Sequence, residues 1–240
     1  MKILFTILFM LMSQVAFGAI SHDATNATID TSVSSGATYA HTCSAGTKLL
    51  VVGLIIADST DADRVTVTAT YNGDAMTEGT TQNNDSQNYT IYIFYLVNPD
   101  TGSPFNIALS WSGGTFADVD ISSTSYEADG MQVDSTATPV TTTSTNIDIT
   151  WNTTATNTVA HGVSCVNNGV STDITLDAGT SIILEDIGIL TALSMRDTYS
   201  SSGSQTISWT NDDSDIYSAV AMAFSETGGE EPARRVFLID

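Results

Sequence analysis

Residues 49–56 read Leu49-Leu50-Val51-Val52-Gly53-Leu54-Ile55-Ile56, and this stretch decides the fold class. A strand with one face in water alternates apolar and polar side chains, whereas this run is apolar on both faces. Tyr89 to Val97 has the same character. Both segments are therefore predicted to be central strands that are covered on both sides.

The flanking segments alternate instead. Val65-Thr66-Val67-Thr68-Ala69-Thr70-Tyr71 places an apolar residue at every second position, which predicts a strand with one face on a core. Ile187 to Met195 is the one segment with some helical character, and it too is interpreted as a strand. Further strands are predicted at Phe105 to Trp111, Asp118 to Tyr126, Ile147 to Trp151 and Thr206 to Trp209.

Turn signals separate these segments at intervals of roughly a dozen residues. They are Asn72-Gly73-Asp74, Asn98-Pro99-Asp100-Thr101-Gly102, Ser112-Gly113-Gly114, Asn167-Asn168-Gly169 and Asn211-Asp212-Asp213. The spacing is typical of an all-β protein. We expect a single antiparallel β-sandwich of jelly-roll type over residues 36–226.

The two ends of the chain differ from this domain. Lys2, the apolar run Ile3 to Met12 and the small residues of Ala16-Phe17-Gly18 predict a signal peptide over residues 1–18. Residues 19–35 are interpreted as a polar lead-in, Thr136 to Asn146 as a long loop or linker, and residues 227–240 as a tail. The leader predicts a secreted, cell-surface or periplasmic protein.

Charge excludes two classes of partner. The chain has six Lys and Arg residues against 27 Asp and Glu residues, a formal net charge of −21. Nucleic acid and anionic membranes bind through Lys and Arg, so neither is an expected partner. The mature chain also has no apolar run long enough to span a membrane. The expected partners are other protein subunits or surface glycans.

Two cysteines remain in the mature chain, Cys43 and Cys165, and export favours their oxidation to a single disulfide. Two buried free thiols are the alternative. If the two strands were adjacent, strand alternation would bring His41 and His161 to the same face as the cysteines. Two nitrogens and two sulfurs could then hold zinc or copper, although the spacing matches no standard zinc motif.

We expect no cofactor; calcium is the alternative, because carboxylates cluster in predicted loops. No segment matches the twelve-residue calcium loop, and solvated turn residues are the alternative explanation. The candidate ligands are Asp58, Asp61, Asp63, Asp212, Asp213 and Asp215.

Trp111, Trp151 and Trp209 each end a predicted strand and run into a polar turn. If they were exposed, sugar rings could stack on their indole faces, as in a carbohydrate-binding module. Strand alternation instead places each with apolar neighbours, so we expect all three to cap the core.

No catalytic motif is present. The nearest approach to a glycosidase pair of carboxylates is Asp118-Val119-Asp120, which lacks a nearby glutamate. We therefore expect no enzymatic activity, with a polysaccharide-active hydrolase or lyase as a third reading after a carbohydrate-binding module.

The phrases His41 to Gly53 and Val65 to Thr77 resemble a jelly-roll β-sandwich module of bacterial surface proteins and marine phage structural proteins. Tyr89 to Pro99, Ile107 to Trp111 and Tyr217 to Phe224 continue the resemblance, which covers most of residues 37–225. It implies a structural or adhesion unit, on a cell surface or a virion, that acts through assembly or surface binding.

The tail is similar to short C-terminal ends of such phage proteins. A basic pair precedes four apolar residues, which predicts a peptide that docks as a strand on a partner's sheet. The residues concerned are Arg234, Arg235, Val236, Phe237, Leu238 and Ile239.

Overall fold

The computed structural model describes residues 19–31, 35–58, 66–112, 116–167, 175–177, 180–187 and 190–227. The predicted signal peptide and all of the tail except Thr227 lie outside these residues. The described part is all-β, with one short 3-10 turn at Asp85–Gln87 and no α-helix. None of it forms a helix that is long and apolar enough to cross a membrane.

The strands follow one another along the chain with short connections. They are β1 (Ser21–Thr31), β2 (Gly36–Thr42), β3 (Thr47–Asp58), β4 (Thr66–Tyr71), β5 (Asp74–Ala75), β6 (Thr77–Asn84), β7 (Tyr89–Val97), β8 (Pro104–Ser112), β9 (Phe116–Glu127), β10 (Met131–Thr136), β11 (Val140–Thr153), β12 (Thr158–Asn167), β13 (Thr175–Leu176), β14 (Thr180–Ile187), β15 (Leu190–Tyr199) and β16 (Gly203–Glu226).

These strands form three antiparallel sheets. The central sheet has the order β1-β9-β3-β7-β6, and the outer sheet has the order β2-β8-β4-β5. The large sheet has the order β10-β16-β12-β15-β14, with β11 and β13 also paired to β16. The expected all-β antiparallel class is confirmed. The expectation of a single sandwich is wrong, because a sandwich has two sheets and this chain has three.

The central sheet is covered on both faces because β3 is apolar on both. Leu50, Val52, Leu54 and Ile56 pack in one core with the inward residues of the outer sheet. Their alternate neighbours on β3 pack in a second core with Val159, Val163, Val220 and Phe224 of the large sheet; those neighbours are Leu49, Val51, Ile55 and Ala57. The prediction for β3 and β7 is therefore confirmed.

A third core lies on the far side of the large sheet. The long antiparallel pair of β11 and β16 loses its register between Ser144 and Asn146, opposite residues 211–214. Beyond that point its inward residues pack on the alanines of β16 at positions 219, 221 and 223. The inward residues are Ile147, Ile149, Trp151, Ile207 and Trp209. The small side chains of these alanines let the layer formed by β11 and the first half of β16 approach the rest of the large sheet closely.

Several boundaries differ from the sequence-based expectations. The lead-in contains β1, and most of Thr136 to Asn146 belongs to β11. Asn211-Asp212-Asp213 does not separate two strands but lies within β16, where the register with β11 is interrupted. Asn72-Gly73 is the expected tight turn, with both residues at positive φ.

Gly53 is the one gap in the apolar run of β3, and its backbone lies close to the large sheet. A Cβ at this position would lie 2.6 Å from Ser122 Oγ, 2.7 Å from Val163 Cγ2 and 2.9 Å from His161 Nε2. These distances are below van der Waals contact, so glycine is required for the central and large sheets to pack.

We expect Gly53→Ala to lower the free energy of unfolding by about 1–3 kcal/mol, because it overpacks a filled core. Urea denaturation monitored by tryptophan fluorescence measures the loss. Gly46→Ala is the matched control, because the three atoms nearest to its Cβ, at 3.0–3.3 Å, all belong to the flexible Glu127 side chain. A Gly53→Ala variant as stable as the control would contradict the close packing of the two sheets.

Candidate functional site

The three tryptophans offer no binding platform. Trp111, Trp151 and Trp209 are 6%, 5% and 0% exposed, and they belong to apolar cores. The prediction that they cap the core is confirmed. Stacking of a sugar ring on these side chains is excluded in this fold, because their faces are already covered.

The predicted disulfide is wrong. Cys43 and Cys165 are both buried free thiols. Cys43 packs in the core between the outer and central sheets, whereas Cys165 packs in the core between the central and large sheets. The central sheet therefore separates the two sulfurs. Burial raises the pKa of both thiols, so neither is a reactive thiolate.

The same separation removes the zinc or copper hypothesis, because His41 and Cys43 lie across the central sheet from His161 and Cys165. In the described part of the chain, no three His, Cys, Asp or Glu residues are grouped to hold a metal ion. The calcium candidates Asp61 and Asp63 lie outside the described residues. For Asp58, Asp212 and Asp213 only the backbone is described, and Asp215 is half-buried on β16.

His41 does not lie beside His161 and Cys165 but belongs to a buried chain of hydrogen bonds. His41 Nδ1 lies 2.8 Å from Ser123 Oγ, and His41 Nε2 lies 3.0 Å from Ser125 Oγ. Ser125 Oγ donates to Asp23 Oδ2 at 2.7 Å. The chain therefore connects β2, β9 and β1 through four side chains.

Asp23 is the acceptor on which this chain ends. Its Oδ2 also accepts from Thr47 Oγ1 at 2.6 Å and from the Ser44 backbone N–H at 3.0 Å. Burial by itself would raise the pKa of Asp23, but these hydrogen bonds outweigh it and hold the pKa below its ordinary value. Asp23 is thus an ionised carboxylate, which accepts hydrogen bonds and has no proton to donate.

The direction of every hydrogen bond in the chain follows from that charge. Ser125 uses its single proton on Asp23, so its oxygen accepts from His41 Nε2–H. Burial lowers the pKa of His41 to about 4, so the imidazole is neutral and Nδ1 has no proton. Nδ1 therefore accepts from the Ser123 hydroxyl.

A second buried histidine lies on the other face of β9. His161 Nε2 lies 3.1 Å from Ser194 Oγ, which is 2.7 Å from Ser122 Oγ. Burial lowers the pKa of His161 to about 3. Two neutral imidazoles thus lie on opposite sides of the central sheet. His41 bonds Ser123 of β9 directly, and His161 reaches Ser122 of β9 through Ser194.

A serine donating to a histidine resembles a hydrolase nucleophile and base, but this one is sealed. Ser123 is 0% exposed and His41 is 2% exposed, so no substrate carbonyl can reach the hydroxyl. Asp120 of the suggested carboxylate pair is also buried, and the Asp118 side chain lies outside the described set. The chain of hydrogen bonds therefore has a structural role, in which it holds β1, β2 and β9 together.

The accessible feature is the outward face of the outer sheet, which we call the neutral face. Alternation turns one residue in two away from the core on each of its three long strands. The face consists of Thr38, Ala40, Thr42, Thr66, Thr68, Thr70, Asn106, Ala108, Ser110 and Ser112, all exposed or half-buried. None of these side chains carries a charge, in a chain whose net charge is −21.

The neutral face is ordered in rows because the strands pair in register. Thr38 lies opposite Ala108, which lies opposite Thr70, and Ser110 lies opposite Thr68. Neighbouring strands lie about 4.8 Å apart, and equivalent residues along a strand repeat about every 6.7 Å. Short hydroxyl and methyl groups therefore form a regular surface.

Sequence reasoning missed both features for different reasons. Asp23 lay in a segment interpreted as a lead-in, although its alternation with Ala24 and Thr25 was a weak strand signal. The serines of β9 sit at positions where a central strand is expected to be apolar. The Thr-x-Thr-x-Thr of residues 66–70 was visible, but the strands beside it were not.

Comparison with known proteins gives no relative: no family model, no curated protein and no solved structure matches this chain.

We expect the free energy of unfolding to fall as the pH drops from 6.5 to 5. The unfolded histidines titrate near pH 6.5, whereas His41 and His161 stay neutral in the folded protein down to about 4 and about 3. The unfolded chain therefore binds more protons across this window, and each histidine contributes a slope of up to about 1.4 kcal/mol per pH unit.

Urea titrations at several pH values measure that slope. His41→Gln keeps a polar side chain but cannot titrate, so its slope should be smaller by about one histidine's contribution. Equal slopes in the variant and the parent would show that His41 is not a buried neutral imidazole.

Proposed function

We propose that this protein is a non-enzymatic structural or adhesion module that acts through assembly or surface binding. The observation that carries the proposal is the neutral face. A chain of charge −21 repels copies of itself and other acidic surfaces through most of its exterior. A face without charges can be brought into contact without that repulsion and without desolvating ions.

The chemistry of the face favours an extended partner over a small ligand. The longest side chain of the face is that of Asn106, so its side chains build no deep walls around a small ligand. Among the described residues, Val133 is the one large apolar side chain that is exposed. The described surface therefore has no exposed hydrophobic patch that would compete with the neutral face for a partner. Many weak contacts over a regular surface suit a protein subunit or a surface glycan.

The sequence supports the same proposal. The resemblance of residues 37–225 to jelly-roll modules of surface and virion proteins favours a structural role. The predicted leader favours export to a cell surface, the periplasm or the medium. The tail residues Arg234 to Ile239 would add a docking strand to the same assembly.

We expect Thr68→Asp to weaken self-association or surface binding at least tenfold, because it places a charge at the middle of the neutral face. Sedimentation velocity measures association, and a glycan array measures sugar binding. Thr206→Asp is the matched control, because Thr206 is also an exposed strand threonine but lies on the pair of β11 and β16, where Asp148 already faces solvent.

The two measurements separate the candidate partners. Loss of association in Thr68→Asp alone supports a protein subunit, and loss of array binding in Thr68→Asp alone supports a glycan. Equal behaviour of the two variants in both measurements would contradict a role for the neutral face.

A further inference from the structure

We propose that β1 is an exchangeable strand, so that β1 of one copy pairs with β9 of a second copy and joins the two. This inference rests on the proposed assembly function and names the partner as an identical chain. It concerns the edge of the central sheet, not the neutral face.

The first observation is that the described side chains of β1 are not buried. This strand is the edge strand of the central sheet, paired with β9 from Ser21 to Thr31. None of its described side chains, residues 21–28, is buried or belongs to an apolar core. Releasing residues 21–28 therefore exposes little apolar surface from their own side chains.

The second observation is that the side chains that do hold β1 are specific. Asp23 accepts from Ser125, Thr47 and the Ser44 N–H, as described above. Asn26 Nδ2 donates to the Ala40 carbonyl at 2.6 Å. Without Asp23, the buried Ser125 hydroxyl would lose its acceptor. Ser125 would then no longer be oriented to accept from His41 Nε2–H. The vacated edge of β9 therefore selects a strand with a carboxylate at this one position, which β1 of another copy supplies.

The third observation is the loose attachment of the residues that lead into β1. Ile20 packs only partly buried against the core between the central and large sheets. Beside it lies an open groove of about 310 Å³, lined by Ala19, Thr158, Val159, Thr198 and Tyr199 among others. An apolar anchor beside unfilled space contributes less than a packed one.

Exchange conserves every contact of β1, because the second copy offers the same β9, Ser125 and Thr47. The balance between the closed monomer and the exchanged form then depends on residues 32–35, which connect β1 to β2, and on protein concentration. Only four residues join strands that belong to different sheets. Short hinge loops invite exchange between copies when the closed form strains them.

The experiment mixes two full-length mature chains with one new cysteine each, Thr25→Cys and Thr124→Cys. These positions lie directly opposite each other on β1 and β9, so a disulfide between two chains forms only if β1 has changed partner. Thr124 tolerates the change, because its buried hydroxyl has no hydrogen-bond partner. The mixture is unfolded in urea, refolded at high concentration and oxidised.

We expect a covalent dimer of the two chains, at least tenfold more abundant than in a control mixture of Thr25→Cys with Thr206→Cys. A second readout does not depend on cysteine geometry: two differently tagged parent chains, refolded together and then diluted, should co-purify, and Asp23→Ala chains should not. Dimer at the control level together with absence of co-purification would overturn the proposal.

Thr68→Asp distinguishes this inference from the function on which it rests. Exchange should persist in Thr68→Asp, because the neutral face takes no part in it. If the parent chain associates through Thr68 but shows no exchange, the assembly function stands and the role of β1 is wrong.

Discussion

The burial of β3 on both faces is the constraint on which the rest of the structure depends. An eight-residue run without a polar side chain cannot lie at a surface, so a sheet must cover each side of it. The outer sheet covers Leu50 and Val52, and the large sheet covers Leu49 and Val51. The glycine at position 53 lets His161 and Val163 approach. His41 of the outer sheet bonds β9 directly, and His161 of the large sheet reaches β9 through Ser194.

Local features of this fold could be predicted from the sequence, because they depend on the period of the side chains. The strand Thr66–Tyr71 and the inward tryptophans follow from alternation, and the strand Tyr89–Val97 follows from being apolar on both faces. Which sheets pack against each other could not be predicted. Cys43 and Cys165 have the right parity to meet, but parity does not reveal that the central sheet lies between them. The number of sheets was hidden for the same reason.

The candidate sites were harder to predict than the fold. Hydroxyl groups on a buried strand break the apolar pattern, and their partners lie far away in sequence: Ser125 is bonded to Asp23 and His41. The neutral face required knowledge that Thr68, Ser110 and Thr38 lie on neighbouring strands. The chain of hydrogen bonds ties the edge strand β1 to the buried strand β9, and the neutral face lies on the outside of the stack. Apolar cores thus hold β3 and β7, whereas polar side chains hold β1, and the neutral face is the surface that we propose for partners.

Native-state amide hydrogen exchange tests this difference between the strands most directly. We expect the amides of β3 and β7 to exchange only through global unfolding, because apolar cores cover both faces of these strands. The amides of β1 should exchange through a smaller opening, with a clearly lower free energy, because polar side chains hold that strand. Equal protection of β1 and β3 would contradict the account, as would faster exchange in β3 than in β1.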